Sequence, residues 1–162
     1  MIIETNRLIL RPFKMEDVDE FFKIIDKSIK KYLWSYSKIE CTEDLNELVS
    51  TYSKSDFKND FYYAICDKDT NSIVGTISAV KTSSCILDVS YFIGDTYRNN
   101  GYMREALLGF KKYLSNSSFL YSILQLTTKK SNKVSQRVIE YCGGKCHRDC
   151  RDFIIWRIAV EH

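Results

Sequence analysis

The chain has no apolar run of about 18 residues, so no segment reads as a membrane-crossing helix. No secretory leader is expected either, since Met1-Ile2-Ile3 is followed at once by Glu4. A cytoplasmic protein is expected, with its six cysteines reduced. Internal repeats, low-complexity tracts and linkers are missing as well, which leaves a single domain over residues 1–162, long enough to bury a core. Histidine is scarce: only His147 and His162 occur, and no Ser-His-Asp set can be assembled from them. Cys142, Cys146 and Cys150 with His147 are spaced C-x3-C-H-x2-C, which does not fit the zinc patterns built from two paired C-x2-4-C units, so no metal is expected and small apolar thiols are the better reading. A formal charge of +3 is too small to argue for nucleic acid. The local cluster Lys129, Lys130, Lys133 and Arg137 reads first as a solvated face.

What is present is a folding composition, 44% hydrophobic and 14% aromatic. Asn6 to Phe13 alternates as a strand and Pro12 ends it. Val18, Phe21, Phe22 and Ile25 predict a helix from Met15 to Lys27, poorly capped because Lys14 offers no acceptor. Ser28 to Cys41 reads as a loop whose aromatics either anchor a ligand or cap the core edge. Thr42 is the expected cap of a second helix carrying Leu45, Leu48, Val49 and Tyr52. Phe61 to Cys66, Ile73 to Lys81 and Cys85 to Ile93 form an antiparallel meander. A third helix runs to Leu114. The strand Tyr121 to Thr127 should lie parallel to the strand before that helix, through a crossover. Ser131 is the expected cap of a fourth helix with Val134, Val138, Tyr141 and Cys142 facing inward, stopped by Gly143-Gly144. A hairpin of Lys145 to Arg148 and Arg151 to Val160 closes the chain. The fold class is α/β (α+β), with a mixed, mostly antiparallel sheet of six to seven strands and four helices.

The organising stretch is Asp88 to Leu114. An apolar strand ends at Gly94, a polar loop follows to Gly101, and Met103, Ala106, Leu107, Phe110 and Leu114 then recur at helical spacing. Strand, glycine-bearing loop and helix start make an anion site, and Arg98 adds a planar fork of donors suited to phosphate. From these residues alone the loop is either a phosphate cradle or an ordinary turn. It is neither a P-loop, lacking Gly-Lys-Ser/Thr, nor a G-x-G-x-x-G fingerprint.

Arg98-Asn99-Asn100-Gly101-Tyr102-Met103 resembles the R/Q-x-x-G-x-G/A loop of the GNAT superfamily of N-acetyltransferases, with Met103 in place of the usual small residue. Gly101 to Ala106 resembles the G-Y-M-x-E-A form of the ribosomal-protein N-acetyltransferase branch. Thr5 to Pro12 resembles that branch's opening strand, and Asn132-x-x-Ser135 followed by Gly143 its last helix. The resemblance implies acetyl-coenzyme A as co-substrate. Its pyrophosphate would lie on Arg98, Asn99, Asn100, Gly101, Tyr102, Met103 and Arg104. Its pantetheine would meet the backbone of Phe92 and Ile93, and Asn132 would border the same site. The partner would be an amine acceptor, a protein N-terminus or a small molecule, with no nucleic acid and no membrane, and the protein a monomer or homodimer. The segment Ser28 to Cys41 would line the acceptor pocket.

Acetyl transfer from a thioester needs neither metal nor covalent nucleophile, only positioning, a neutral amine and a proton for the departing thiolate. Asp88 is the candidate base. It sits in an apolar strand on the face of Ser90 and Phe92, so it must be paired or face a cleft. In the resembling branch an acid there deprotonates the amine, and the short Asp favours a water relay. The alternative is a structural Asp held by backbone or lysine. The superfamily's usual thiolate acid, a tyrosine seven residues after the motif asparagine, is Ile139 here. The branch instead implies Ser135, whose alternative is an ordinary helix-surface hydroxyl. Tyr141 is a fallback acid, and Glu105 reads as a favourable first-turn acid. Two other functions stay open on these residues: an acyl-coenzyme A binding module without turnover, and a general phosphate-binding domain.

Overall fold

The structure, a computed structural model, describes all residues from Met1 to His162. Eight strands form one sheet in the order β1-β2-β3-β4-β5-β6-β8-β7. They are β1 (Ile3–Glu4), β2 (Leu8–Pro12), β3 (Asp60–Asp67), β4 (Ile73–Lys81), β5 (Ile86–Ile93), β6 (Ile123–Lys129), β7 (Lys145–Asp149) and β8 (Phe153–Ala159). Every neighbouring pair is antiparallel except β5 with β6, which the helix between them forces to be parallel. The five α-helices are α1 (Val18–Lys23), α2 (Lys27–Tyr32), α3 (Thr42–Ser53), α4 (Tyr102–Ser115) and α5 (Lys133–Tyr141).

Strand alternation divides the core between the two sheet faces. Leu87, Val89 and Ile93 of β5 pack with Met103, Ala106, Leu107 and Phe110 of α4 and with Ile139 of α5. Phe92, pointing the other way, packs with Phe21 of α1, Ile29 of α2 and Val49 of α3. Phe92 stacks on Phe21 at 5.7 Å between ring centroids and meets Tyr36 edge-on at 5.1 Å. This second core contains residues of β3 to β5 but none of β6, β7 or β8, so the second face of those three strands carries no apolar core.

Several expectations need correction. The sheet has eight strands and not six or seven, because the two-residue β1 is too short to show alternation. The helices number five and not four. The predicted Met15–Lys27 helix is a short helical turn, then α1, then a break at Ile24, and α2 starts where a loop was expected. The break is local chemistry: the Asp26 carboxylate accepts from Ser28 N at 2.7 Å and Ile29 N at 2.9 Å and so starts a new helix. Thr42 is the first residue of α3 and not its cap. Cys41 holds that position, with the Asp44 carboxylate reaching back to its N–H at 3.1 Å. Asn132, not Ser131, caps α5. The inward face of α5 is also rotated from the apolar pattern, with Gln136, Ile139 and Cys142 buried while Val134 is 67% and Tyr141 63% exposed. The Gln136 amide donates to the carbonyls of Lys129 and Lys130 at 3.1 and 3.0 Å. Those bonds make its burial tolerable.

Candidate active site

β5 and β6 pair over only three positions, Ile86 with Ile123, Leu87 with Leu124 and Asp88 with Gln125. Beyond Asp88, β5 stays in register with β4 to Ile93 and β6 stays in register with β8 to Lys129, so the two strands part. A cavity of about 740 Å³ occupies the opening. Gly94 N–H donates to Val74 O on β4. Counting back by strand alternation, Phe92 also turns its amide and carbonyl to β4, whereas Ile93 and Tyr91 turn theirs into the opening. Of the two backbones expected to meet a pantetheine arm, Ile93 turns its amide into the opening while its carbonyl accepts from Arg98, and Phe92 turns both groups to β4. Tyr91 is the second backbone on that edge.

On the α4 side the opening ends in a cradle of amides. Asn99 has φ +63° and Gly101 φ +75°, two left-handed residues that curl the loop into the start of α4. The first intrahelical bond runs from Glu105 N to Gly101 O, and the N–H groups of residues 99–104 have no partner in the protein. A side chain at Gly101 would find space, the nearest atom to an added Cβ being Arg7 Nη2 at 3.6 Å. Its left-handed backbone is what calls for glycine.

The loop is held by residues far away in sequence. Glu105 accepts from Thr5 Oγ1 and from Arg7 N, both at 2.6 Å, and from Arg7 Nε at 2.7 Å. Arg7 also donates to Asn100 O at 2.9 Å and lies 4.8 Å from the centre of the Tyr102 ring. Gly109 lets α4 come this close, since an added Cβ would lie 2.5 Å from Thr5 Cγ2. Burial pushes the Glu105 carboxyl up, but its bonds to Thr5 and Arg7 win and hold it below the ordinary value. Glu105 is thus a strut for the loop, beyond its role as a first-turn acid.

Arg98 lines the cavity, but its guanidinium is committed elsewhere. It donates to Ile93 O at 3.0 Å, to Asp95 at 3.1 Å and to Asp26 at 2.6 Å. The expected fixed charge for phosphate is instead a staple joining the end of β5 to the cap of α2.

The α5 end carries hydroxyls. Asn132 Oδ1 accepts from Ser135 N at 3.2 Å, and Ser135 Oγ lies 2.9 Å from Tyr91 Oη. Both hydroxyls border the cavity, as does Ile139. Burial raises the Tyr91 phenol well above its ordinary value, so it stays protonated at neutral pH. Tyr141 is directed away, under the Arg104 guanidinium at 4.5 Å.

Asp88 is the last residue of β5 still paired with β6. It does not line the cavity, but it shares a sheet face with Ser90, which does. It forms no ion pair, and no lysine or backbone group hydrogen-bonds it. Although solvent reaches it, burial by its surroundings raises its carboxyl above the ordinary value, with Gln125 opposing. The α2 wall supplies Ser28, Ile29, Tyr32 and Leu33.

This geometry can be set beside known proteins. The sequence matches the family model of the acetyltransferase (GNAT) domain over residues 7–145. The chain belongs to the GNAT acetyltransferase family. It is therefore an N-acetyltransferase by family. No curated protein matches its sequence significantly. Its fold is that of a GNAT-family acetyltransferase from Bacillus anthracis, with 21% identity, all of both chains covered and a TM-score of 0.86. A structure of RimL, a ribosomal-protein α-N-acetyltransferase, in complex with coenzyme A superposes with a TM-score of 0.85 at 14% identity over 99% of each chain. Spermidine N-acetyltransferase from Vibrio cholerae, in complex with coenzyme A and spermine, gives 0.79 at 15% identity, covering 95% of this chain and 96% of that one.

In this acetyltransferase the cavity brings together Phe92, Ile93, Arg98, Asn99, Gly101, Tyr102, Met103, Arg104, Asn132 and Ser135, with Asp88 just outside. Asn100 is placed by its carbonyl on Arg7. Sequence reading missed three things: the Tyr91 hydroxyl, the Thr5–Arg7–Glu105 strut and the Asp26 anchor. Each depends on contacts between residues tens of positions apart. Asp26 followed by Ser28 was the one local signal.

Proposed function

We propose that this acetyltransferase moves the acetyl group of acetyl-coenzyme A to a primary amine, a protein N-terminus or a small molecule, by direct attack in a ternary complex. The observation that carries the proposal is one continuous track: the Tyr91 backbone and the Ile93 amide on the strand edge, leading to unpaired amides at residues 99–104. An amide-bearing arm can add to the strand edge and a pyrophosphate can seat on the loop amides. The bound coenzyme A in RimL and in the spermidine acetyltransferase supports the same co-substrate here. Arg7, Glu105 and Arg98 would keep the cradle in shape, and Arg104, Lys133 and Arg137 would face the phosphates.

The co-substrate supplies an activated thioester, which leaves positioning and two proton movements to the protein. Asp88, unpaired on the open side of the sheet, would take the ammonium proton through water along Ser90. The raised carboxyl makes it a better base than an ordinary aspartate. On the opposite side Ser135 would protonate the leaving thiolate, with Tyr91 behind it as a second hydroxyl.

The test is release of free thiol from acetyl-coenzyme A by the purified protein with a panel of primary amines, with the acetylated amine identified by mass spectrometry. One thiol per acetylated amine is expected. Tight coenzyme A binding with no thiol release across protein N-termini and small amines would instead mark an acyl-coenzyme A binding module. Displacement of coenzyme A by ATP at equal concentration would mark a general phosphate site.

A further inference from the structure

The side chains around the cavity carry charge of one sign. Arg98, Arg104, Lys129, Lys133 and Arg137 line it, and no aspartate or glutamate does. These cations are not equivalent. Arg98 is neutralised by Asp26 and Asp95. Arg104, Lys133 and Arg137 project from α4 and α5, beside the amide cradle, where phosphates would meet them. Lys129 is on the other side. It ends β6 in phase with Gln125, the partner of Asp88, and therefore faces the α2 wall and the open face of the sheet. Its Nζ donates to Lys31 O at 2.9 Å and lies 5.9 Å from the centre of the Tyr32 ring, with Lys31 Nζ 5.3 Å from the same ring. Neither lysine meets a carboxylate. A carbonyl and a ring face orient the positive charge without cancelling it.

We infer that the acceptor is a monoamine with an anionic group near the amine, a carboxylate or a phosphate, which Lys129 receives, and that polyamines are poor acceptors. The inference rests on the acetyl-transfer reading above. A polyamine brings a second ammonium into a cavity without any carboxylate to accept it, and a charge taken from water unpaired is costly. Asp88, just outside the cavity, is needed by the amine that reacts. An anion, in contrast, gains a charge-assisted hydrogen bond from a lysine already held in place.

The experiment uses matched pairs: O-phosphoethanolamine against ethanolamine, and β-alanine against propylamine, with spermidine alongside. Initial rates are measured at saturating acetyl-coenzyme A for the wild type, Lys129→Glu and Lys129→Arg. In the wild type kcat/KM should be about tenfold higher for the anionic member of at least one pair, the size of one charge-assisted contact. The pair with the larger ratio identifies carboxylate or phosphate as the natural group. Lys129→Glu should erase or invert the ratio and Lys129→Arg should keep it. Equal kcat/KM within both pairs, or spermidine as the fastest acceptor, overturns the inference. Calorimetric titration of the anionic amines into the coenzyme A-loaded protein reads the same preference without turnover, and no binding there overturns it too. Failure of coenzyme A itself to bind would overturn the acetyl-transfer reading instead.

Discussion

The two walls of the cleft are built by different physics. The α4 wall is fixed by ionic and hydrogen-bonded struts spanning about a hundred residues, with Glu105 reaching Thr5 and Arg7. The α2 wall is two short helices resting on an aromatic cluster, Phe21 stacked on Phe92 with Tyr36 edge-on to both. It is tied to the first wall through Arg98 and to β6 through the single Lys129–Lys31 bond. A rigid wall of directed N–H groups suits an invariant ligand. An aromatic wall under an open sheet face suits a partner whose shape is set by pocket and charge. Substitutions in the first should therefore act on cofactor affinity, and substitutions on the open side on turnover.

Gly101→Val should show the largest effect. A β-branched residue at φ +75° is strained by roughly 1–3 kcal/mol, and the loop must shift to relieve it. Calorimetry should give coenzyme A binding weaker by about a hundredfold or more, since the strain and the misplaced amides add. Gly101→Asn, which tolerates the left-handed region, should lose far less. If both variants bind normally, the cradle is not the phosphate site.

Asp88→Asn tests the open side. Turnover should fall by about tenfold to a thousandfold, the usual contribution of a positioned base, with coenzyme A affinity unchanged. Its stability effect has a definite sign. A carboxyl raised in the folded state binds its proton more tightly there, so its contribution falls as pH rises from the unfolded value through the folded one. Above that window the ionised Asp88 is a net cost, and Asn should melt no lower than wild type at neutral pH. A lower melting temperature with unchanged activity per folded molecule would make Asp88 structural.

The same contrast explains what the sequence revealed. The cradle was legible because its parts are contiguous: strand, Gly94, Arg98 to Gly101 and the apolar stripe of α4 lie in one run. The family resemblance added Thr5 to Pro12 and Asn132 to Ser135, and the structure shows why the first of these travels with the loop, since Thr5 and Arg7 hold Glu105. The α2 wall was not legible. Asp26 starts α2 through its own side chain, interrupting a hydrophobic period that read as one helix. Likewise Gln136 is buried by hydrogen bonds to carbonyls, which rotated α5 away from its apolar pattern. Periodicity measures transfer from water, and it is blind to polar groups that are buried because they are paired.

Glu105→Gln should have an intermediate effect. It weakens charge-assisted bonds to Thr5 and Arg7 without opening a cavity. About 2 kcal/mol is a reasonable loss, or a fall of about 4–8 °C in Tm, with coenzyme A binding weakened several-fold. Because the folded carboxyl lies below its ordinary value, this stability is present above the unfolded value near pH 4.3 and is lost as pH falls through the folded one. The Tm difference between wild type and variant should therefore shrink on acidification below about pH 4. A difference independent of pH would mean that shape, and not charge, holds the loop.

The smallest effect is expected at the Tyr91–Ser135 pair, which joins β5 to α5 at the edge of the opening. Ser135→Ala removes the hydroxyl expected to protonate the thiolate, but a thiolate is already a good leaving group and water can replace the donor. A loss of only a few-fold to about tenfold in kcat should follow, below the usual range for general acid catalysis. Tyr91→Phe keeps the ring and removes the partner hydroxyl 2.9 Å from Ser135 Oγ. If the two act as one relay, the double variant should be no slower than the slower single one, because residues acting as a unit are not additive. If Tyr91 only positions Ser135, Tyr91→Phe should raise neither KM nor cofactor Kd and should cost less than Ser135→Ala. Both losses should shrink when the acyl donor carries a more acidic thiol, since less proton is needed at departure. A loss that is the same for every thiol would place the pair in packing rather than in proton transfer.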